Sequence, residues 1–242
     1  MKKKKEIAIQ LKNVTKRYVL HHDKPTFSEK LIRKSKKEIF TALDDIDLTI
    51  YKGEKVGIIG ANGAGKTTLL KIIAGIATPN EGSVMTNGRI VSLIDLEAGF
   101  HPDLTGEENI FLNGLVIRMS KQEIRDKYKD IVEFADIGQF IDAPLYTYSA
   151  GMKLRLGFAV AVHADPDILI LDEGFAAGDQ NFQKKSTLKI NNFFRAKKTI
   201  IMVSHWLEYL FLQSDRIIYL SAKGIQKDGG KEVLEFYKKN GK

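Results

Sequence analysis

The sequence predicts an α/β fold around a phosphate-binding loop, with a β-rich region before it and a helical region inserted into it. Three observations support this fold class. Near residue 60, an apolar strand runs into a glycine-rich loop and then into a helical pattern. A second apolar run, residues 167–171, ends in two carboxylates, as a buried strand does at the edge of a sheet. Between them, residues from about 103 to 163 follow helical spacing.

The N-terminal region is predicted to be an antiparallel β-subdomain. Residues 7–14 have the pattern of an edge strand, and residues 40–50 alternate again before a turn at 52–54. Residues 19–38 between them form a polar, basic insertion that contains Pro25. We therefore expect two strands of the β-subdomain to be separated by this insertion.

The glycine-rich loop has every fixed position of the pattern G-x-x-x-x-G-K-[ST]. It runs from Gly60 to Thr67, after the strand pattern of residues 56–59 and before the helical pattern of residues 68–74. Glycines let backbone N–H groups turn inward around phosphates, and the helix N-terminus adds a partial positive charge. The alternative is a glycine-rich turn with a chance lysine, which the flanking strand and helix disfavour.

The phosphate-binding residues are assigned from this loop and the start of its helix. They are Gly60, Asn62, Gly63, Ala64, Gly65, Lys66, Thr67 and Thr68. The ammonium group of Lys66 would reach the β- and γ-phosphates, and the hydroxyl of Thr67 would bind Mg²⁺.

A helix start is predicted at residues 148–152, Tyr-Ser-Ala-Gly-Met. Ser149 is a suitable N-cap, and an apolar helical pattern follows it. An isolated Ser-x-Gly is usually an ordinary cap. This one lies shortly before the acidic strand, which favours a functional role.

Two carboxylates end the strand pattern at residues 168–171. Asp172 is the candidate for holding Mg²⁺, and Glu173 is placed where it could act on a water that attacks the γ-phosphate. Many α/β proteins have a strand that ends in polar residues. The assignment therefore depends on the phosphate loop being present in the same chain.

With these motifs, the sequence resembles the ATP-binding-cassette ATPases. Residues 148–152 look like their signature motif, usually Leu-Ser-Gly-Gly-Gln, and His205 after an apolar strand looks like their switch histidine. Asp179 looks like the aspartate of their D-loop. The motifs occur in the family's order over nearly the whole chain. The resemblance implies one nucleotide-binding domain over residues 1–242, with a helical subdomain at about 103–163.

The resemblance also implies ATP and Mg²⁺ as cofactors and a two-copy mechanism. Two chains would bind two ATP molecules head to tail, with Ser149 and Gly151 of one chain approaching the γ-phosphate held by the other. Glu173, His205 and Asp179 would be the catalytic residues. The helical subdomain would pass the movement of the two chains on ATP binding and hydrolysis to a separately encoded transmembrane permease.

Two positions depart from the family pattern. Cassette ATPases usually have a Gln before the helical subdomain, whereas this chain reads Leu-Ile-Asp-Leu-Glu-Ala-Gly there. Asp95 is the preferred replacement as a Mg²⁺ ligand, with Glu97 as the alternative. Tyr18 is assigned as the aromatic residue that stacks on adenine. Phe27 is the alternative, because the insertion makes the alignment with the family ambiguous here.

A narrower resemblance is to the ATPase subunits that export lipid-linked polysaccharides such as O-antigen, capsule and teichoic acid. Residues 98–110, 148–152 and 172–179 carry it. Such a link to cargo is an association. The alternatives are a cassette ATPase that drives another transporter, a cassette protein without a transport role, and a P-loop kinase.

Composition agrees with a protein that associates with a membrane through a partner. The chain has 242 residues, 43% of them hydrophobic, and no cysteine, which excludes a disulfide framework or a thiolate metal site. No apolar run approaches the ~18 residues of a membrane span, and no signal region follows the first lysines. We expect a peripheral protein at the cytoplasmic face of the membrane.

The net charge of +8 suits an anionic membrane surface or nucleic acid, but a solvated basic surface is the simpler explanation. The sequence contains no nucleic-acid-binding module, so no nucleic-acid partner is expected.

Overall fold

The computed structural model describes residues 5–20, 38–172, 179–204, 206–230 and 232–240. The helices and strands in chain order are β1 (Ile7–Leu20), β2 (Glu38–Tyr51), β3 (Lys55–Ile59), α1 (Lys66–Ile73), β4 (Glu81–Thr86), β5 (Ile90–Ser92), α2 (Gly106–Val116), α3 (Lys121–Ala135), α4 (Ala150–His163), β6 (Ile168–Leu171), α5 (Gln180–Arg195), β7 (Thr199–Val203), α6 (Leu207–Gln213), β8 (Arg216–Ser221), β9 (Gly224–Gly229) and α7 (Glu232–Asn240). Two short 3₁₀ segments, Gly138–Asp142 and Leu145–Thr147, lie between α3 and α4.

The N-terminal sheet is antiparallel, as predicted, and its three strands have the order β2, β1, β4. The expectation that β1 is an edge strand is wrong, because β4 pairs with its second side. The sequence of β4, EGSVMT, contains a glycine and few β-branched residues, so its strand signal is weak. Residues 21–37, which include Phe27, lie outside the described residues.

The second sheet has the order β5, β6, β7, β3, β8, β9. Its first five strands are parallel, and β9 is antiparallel to β8. All residues of β6 and β7 are buried, as expected for strands covered on both faces. Since parallel strands end at the same edge, the phosphate loop after β3 and Asp172 after β6 lie at one edge of this sheet.

Two hydrophobic clusters cover the two faces of the parallel sheet. Alternate residues of β6 belong to different clusters: Ile168 and Ile170 join the cluster that contains α1 and the N-terminal sheet. Leu169 and Leu171 join the cluster that contains α3, α4 and α5. The sheet is therefore packed between the phosphate-loop helix and the helical insert.

Residues 103–163, predicted to be mostly helical, contain α2, α3 and α4. Capping boxes start α2 at Thr105 and α3 at Ser120, and each satisfies two N–H groups at the start of its helix. The Arg89 guanidinium, directly before β5, donates two hydrogen bonds of 3.0 and 3.1 Å to the Glu123 carboxylate of α3. These bonds connect α3 to the sheet. In the described part of the chain, no helix has the length and hydropathy needed to cross a membrane.

Candidate functional site

A cavity of about 780 Å³ opens at the edge of the parallel sheet where the phosphate loop lies. It is lined by residues of β2, the phosphate loop, residues 93–97, α4 and the ends of β6 and β7. We call it the phosphate-loop cavity. Its position at the carboxyl ends of the strands is where ligands bind in open α/β sheets.

The phosphate loop contributes its residues 62–68 to this cavity without a gap. Gly60 is different: it is buried and does not belong to the lining. A Cβ at Gly60 would lie 2.2 Å from the carbonyl oxygen of Leu220 on β8. Glycine is therefore needed at this position for the close approach of two backbones, and contact of Gly60 with a nucleotide stays a prediction.

Gly65 shapes the turn into α1. Its φ of 92° is in the left-handed region, and a Cβ there would lie 2.3 Å from the carbonyl oxygen of Ala42. Gly63 also has a positive φ, of 79°, but a Cβ at Gly63 would meet no atom within 4 Å. The loop thus packs against β2 at Gly65 and is open at Gly63, which leaves room for a bound group.

Lys66 is the first residue of α1 and lines the phosphate-loop cavity. Its Nζ donates to the carbonyl oxygens of Gly60 and Ala61, at 2.8 and 3.0 Å, which holds the cation over the loop. The first N–H groups of a helix have no intrahelical acceptor and carry partial positive charge. A cation and a helix N-terminus at one cavity suit the phosphates of a nucleotide.

Oxygen donors lie at the same cavity. Thr67, Asp172 and Asp95 all line it, and they offer the hydroxyl and carboxylate oxygens that Mg²⁺ prefers. These residues therefore fit a Mg²⁺ ion bound together with phosphates. Glu97, the alternative to Asp95, lines the cavity as well.

Among the described residues, the aromatic residue at the cavity is Phe40 of β2, and the predicted Tyr18 is not part of the lining. Tyr18 is the cross-strand partner of Phe40 on β1. The Nζ of Lys16 lies 5.1 Å from the centre of the Tyr18 ring, in a cation–π contact. Of these two described residues, Phe40 is the one that lines the cavity, and the contact of Tyr18 with adenine stays a prediction.

The predicted signature residues lie at a surface outside the phosphate-loop cavity. Ser149 and Gly151 are exposed, and neither lines the cavity of its own chain. Ser149 is the N-cap of α4, as predicted, and its Oγ accepts the N–H of Met152 at 3.2 Å. Tyr148 beside it is buried, and burial raises the pKa of its phenol to about 12. The start of α4 therefore presents a capped helix N-terminus to the outside.

Asp179 is the N-cap of α5, and it also lies outside the cavity lining. Its carboxylate accepts the N–H groups of Phe182 and Asn181, both at 3.0 Å, and these bonds lower its pKa, with that from Phe182 contributing most. The other two predicted catalytic residues, Glu173 and His205, lie outside the described residues.

Sequence reasoning missed several apolar residues of the cavity. Besides Phe40, these include Ala42 of β2, Leu93 and Leu96 before the helical insert, and Leu154 of α4. A sequence signal for Phe40 existed, since it is an aromatic residue that directly follows the insertion, at the start of the second strand pattern. The others carry no chemistry that a motif could reveal.

Comparisons with known proteins agree on one family. Residues 43–176 match the family model described as ABC transporter. The O-antigen export system ATP-binding protein RfbB of Myxococcus xanthus is 50% identical over 83% of this chain, which spans about half (48%) of that relative. The protein of the same name from Klebsiella pneumoniae is 39% identical, over 96% of this chain and 98% of the relative. The teichoic acids export ATP-binding protein TagH of Listeria innocua is 43% identical, over 96% and 70%.

Among solved structures, the chain is similar to a dimeric, post-hydrolysis state of the ATP-binding cassette MJ0796 bound to ADP and Pi. The TM-score is 0.67 at 25% identity, with 92% of this chain and 98% of the other covered. The fold, the phosphate loop and the family match point to the same conclusion. The chain belongs to the ABC transporter family and is an ATPase cassette of that family.

Proposed function

We propose that this chain powers the export of a lipid-linked polysaccharide, as the ATP-hydrolysing subunit at the cytoplasmic face of a membrane permease. The observation that carries the cargo class is the likeness, over nearly the full length of both chains, to an O-antigen export protein. A teichoic acids export protein is similar over 96% of this chain. Since the two relatives are named for different polymers, we propose the class of lipid-linked polysaccharides as the cargo.

The nucleotide chemistry follows from the residues of the phosphate-loop cavity. Lys66 and the N–H groups at the start of α1 hold the β- and γ-phosphates. Thr67, Asp172 and Asp95 would hold Mg²⁺, which neutralises part of the phosphate charge when bound. Glu173 directly follows Asp172 in sequence, and it takes the proton of the attacking water or orients that water.

The complete site requires two copies of the chain. The exposed start of α4, with Ser149 and Gly151, is not part of the phosphate-loop cavity of its own chain. A second chain related by a two-fold axis would bring this helix N-terminus to the γ-phosphate. ATP then joins the two chains, and hydrolysis releases them, which gives the two states that coupling requires.

The permease contact is assigned to a groove of about 410 Å³ between the end of α1, α2 and α4, which we call the helical groove. Ile76 and Val116 line it and are 47% and 57% exposed, so apolar surface is available to a partner. Asp95 and Leu96 line both this groove and the phosphate-loop cavity. A partner in the groove would therefore contact the same segment that reaches the nucleotide.

Co-purification with the permease tests this surface. Val116→Arg places a charge in the helical groove and should abolish recovery of the permease with the tagged subunit. Leu188→Arg is the matched control, because Leu188 is another exposed apolar residue, 67% exposed, on α5. Equal recovery with both variants would remove the groove from the proposal.

The cargo is tested in a strain from which the gene has been deleted. Lipid-linked polysaccharide should accumulate inside the cell and disappear from the surface, and the wild-type gene should restore the surface polymer. The Glu173→Gln variant should not restore it. Normal surface polysaccharide in the deleted strain would contradict the proposed cargo class.

A further inference from the structure

Residues 93–105 connect the parallel sheet to α2, and we call them the acidic loop. The loop begins as part of the sheet. The N–H of Leu93 donates to the carbonyl of Ile170 on β6, at 2.9 Å, and the N–H of Ile94 donates to Ser92 Oγ at 3.3 Å. Its first two residues are therefore bonded to the sheet.

The same loop is attached to the helical insert from Leu96 onward. A Cβ at Gly157 of α4 would lie 2.3 Å from the carbonyl oxygen of Leu96, so the loop backbone rests directly on α4. The carbonyl of Ala98 accepts a hydrogen bond of 3.0 Å from Nδ2 of Asn113 on α2. Asn113 is only 5% exposed, which makes this a buried amide used to hold the loop.

A second buried amide on the same face of α2 holds the rest of the loop. Asn109 is fully buried. Its Oδ1 accepts the N–H of His101 at 2.7 Å, and its Nδ2 donates to the carbonyls of His101, Leu104 and Thr105 at 2.9–3.0 Å. Residues four apart on a helix lie on one face, so Asn109 and Asn113 bind consecutive parts of the loop.

Asp95 is placed between these two sets of attachments. The segment before it is bonded to the sheet, and the segment after it is bonded to α2 and α4. Its side chain lines the phosphate-loop cavity and the helical groove. The backbone on one side of this carboxylate is thus held by the sheet, and on the other side by the helical insert.

We propose that Asn113 is a positioning residue for Asp95: its bond to Ala98 sets where the Asp95 carboxylate stands at the nucleotide. This inference rests on the proposed role of Asp95 toward Mg²⁺ and ATP. Asn113 does not line the phosphate-loop cavity, and it lines the helical groove together with Asp95 and Leu96. Its effect on the nucleotide site is therefore expected to pass through the acidic loop, which it holds at Ala98.

The test is the equilibrium affinity for a fluorescent ATP analogue over a series of Mg²⁺ concentrations. Asn113→Ala is measured in the wild-type chain and in an Asp95→Asn chain, and Asn192→Ala on α5 is the control for an asparagine lost elsewhere. We expect Asn113→Ala to raise the half-saturating Mg²⁺ concentration by about threefold or more. This is the size of coupling found between residues that share a contact. In the Asp95→Asn chain the same substitution should have no further effect.

A second variant, Gly157→Ala, pushes on the Leu96 carbonyl from α4 and should show the same dependence on Asp95. Equal effects of Asn113→Ala in both backgrounds, or none in a folded wild-type background, would overturn the inference. Failure of the wild-type chain to bind the analogue with Mg²⁺ would instead overturn the proposed function.

Discussion

Tyr18 and Phe40 are direct partners across the β1–β2 pair, yet only Phe40 lines the phosphate-loop cavity. Opposite residues of an antiparallel pair project to the same face of the sheet, so the two rings belong to one surface. Both rings are exposed, Tyr18 by 38% and Phe40 by 45%, and the Tyr18 ring also contacts the ammonium group of Lys16. Because Phe40, and not Tyr18, lines the cavity, we predict that the base of a nucleotide stacks on β2.

Phe40→Ala should weaken ATP binding, because a base stacked on an aromatic ring contributes about 1–3 kcal/mol. That corresponds to roughly a fivefold to hundredfold higher Kd for ATP. Tyr18→Ala is the matched control and should have the smaller effect. Inorganic tripolyphosphate, which lacks a base, should compete equally well in both variants. A larger loss of ATP affinity with Tyr18→Ala than with Phe40→Ala would instead place the adenine contact on Tyr18 of β1.

Glu173→Gln should leave ATP binding intact and reduce steady-state phosphate release by about a hundredfold to ten-thousandfold, the usual contribution of a general base. The variant should accumulate as an ATP-bound dimer, which size-exclusion chromatography in the presence of ATP will detect. Phosphate release within a few-fold of the wild type would exclude Glu173 from this role.

The Arg89–Glu123 pair predicts a loss of stability in acid. Hydrogen bonds from Arg89, and then from the Ser120 N–H, lower the pKa of Glu123 from 4.5 to about 2. The stabilisation is therefore complete above pH ~4.5 and is lost as the pH falls toward 2. Solvent screens this partly exposed pair, so the effect on Tm is small.

Thermal melts of the wild type and Glu123→Gln between pH 6 and 2 measure this contribution. The wild type should melt higher above pH 5, and the difference should shrink as the pH falls. Glu133→Gln, at an exposed position of the same helix, is the control and should show no such trend. A difference that grows in acid would contradict the assignment.

The phosphate loop could be predicted because its sequence directly encodes backbone requirements. Gly65 needs a positive φ and a close approach to Ala42, and no other residue type satisfies both. The strand before it and the helix after it follow from hydrophobic periodicity alone. The phosphate loop, with its flanking strand and helix, could therefore be predicted from the sequence alone.

Other parts of the site depend on long-range pairing, which periodicity does not encode. The third strand of the N-terminal sheet, β4, has a weak strand signal and is defined by its pairing with β1. Phe40 rather than Tyr18 lines the cavity because of how β1 and β2 pack against the phosphate loop. The hydrogen bond from Asn113 to Ala98 of the acidic loop joins residues 15 positions apart, and no sequence motif predicts it.

We propose that each ATP lies between two copies of the chain, and mixing two inactive variants tests this arrangement most directly. Lys66→Ala damages the phosphate loop, and Ser149→Arg damages the start of α4. In a mixed dimer one site carries both lesions and the other carries neither.

ATPase activity should return on mixing to roughly a quarter of the wild-type value, because about half of the dimers are mixed and each has one intact site. Lys66→Ala mixed with the Lys66→Ala/Ser149→Arg double variant is the control and should stay inactive, because no site is then intact. Recovered activity with the first mixture alone is the predicted result. No recovery, while mixed dimers are demonstrated by differential tagging, would contradict the shared site.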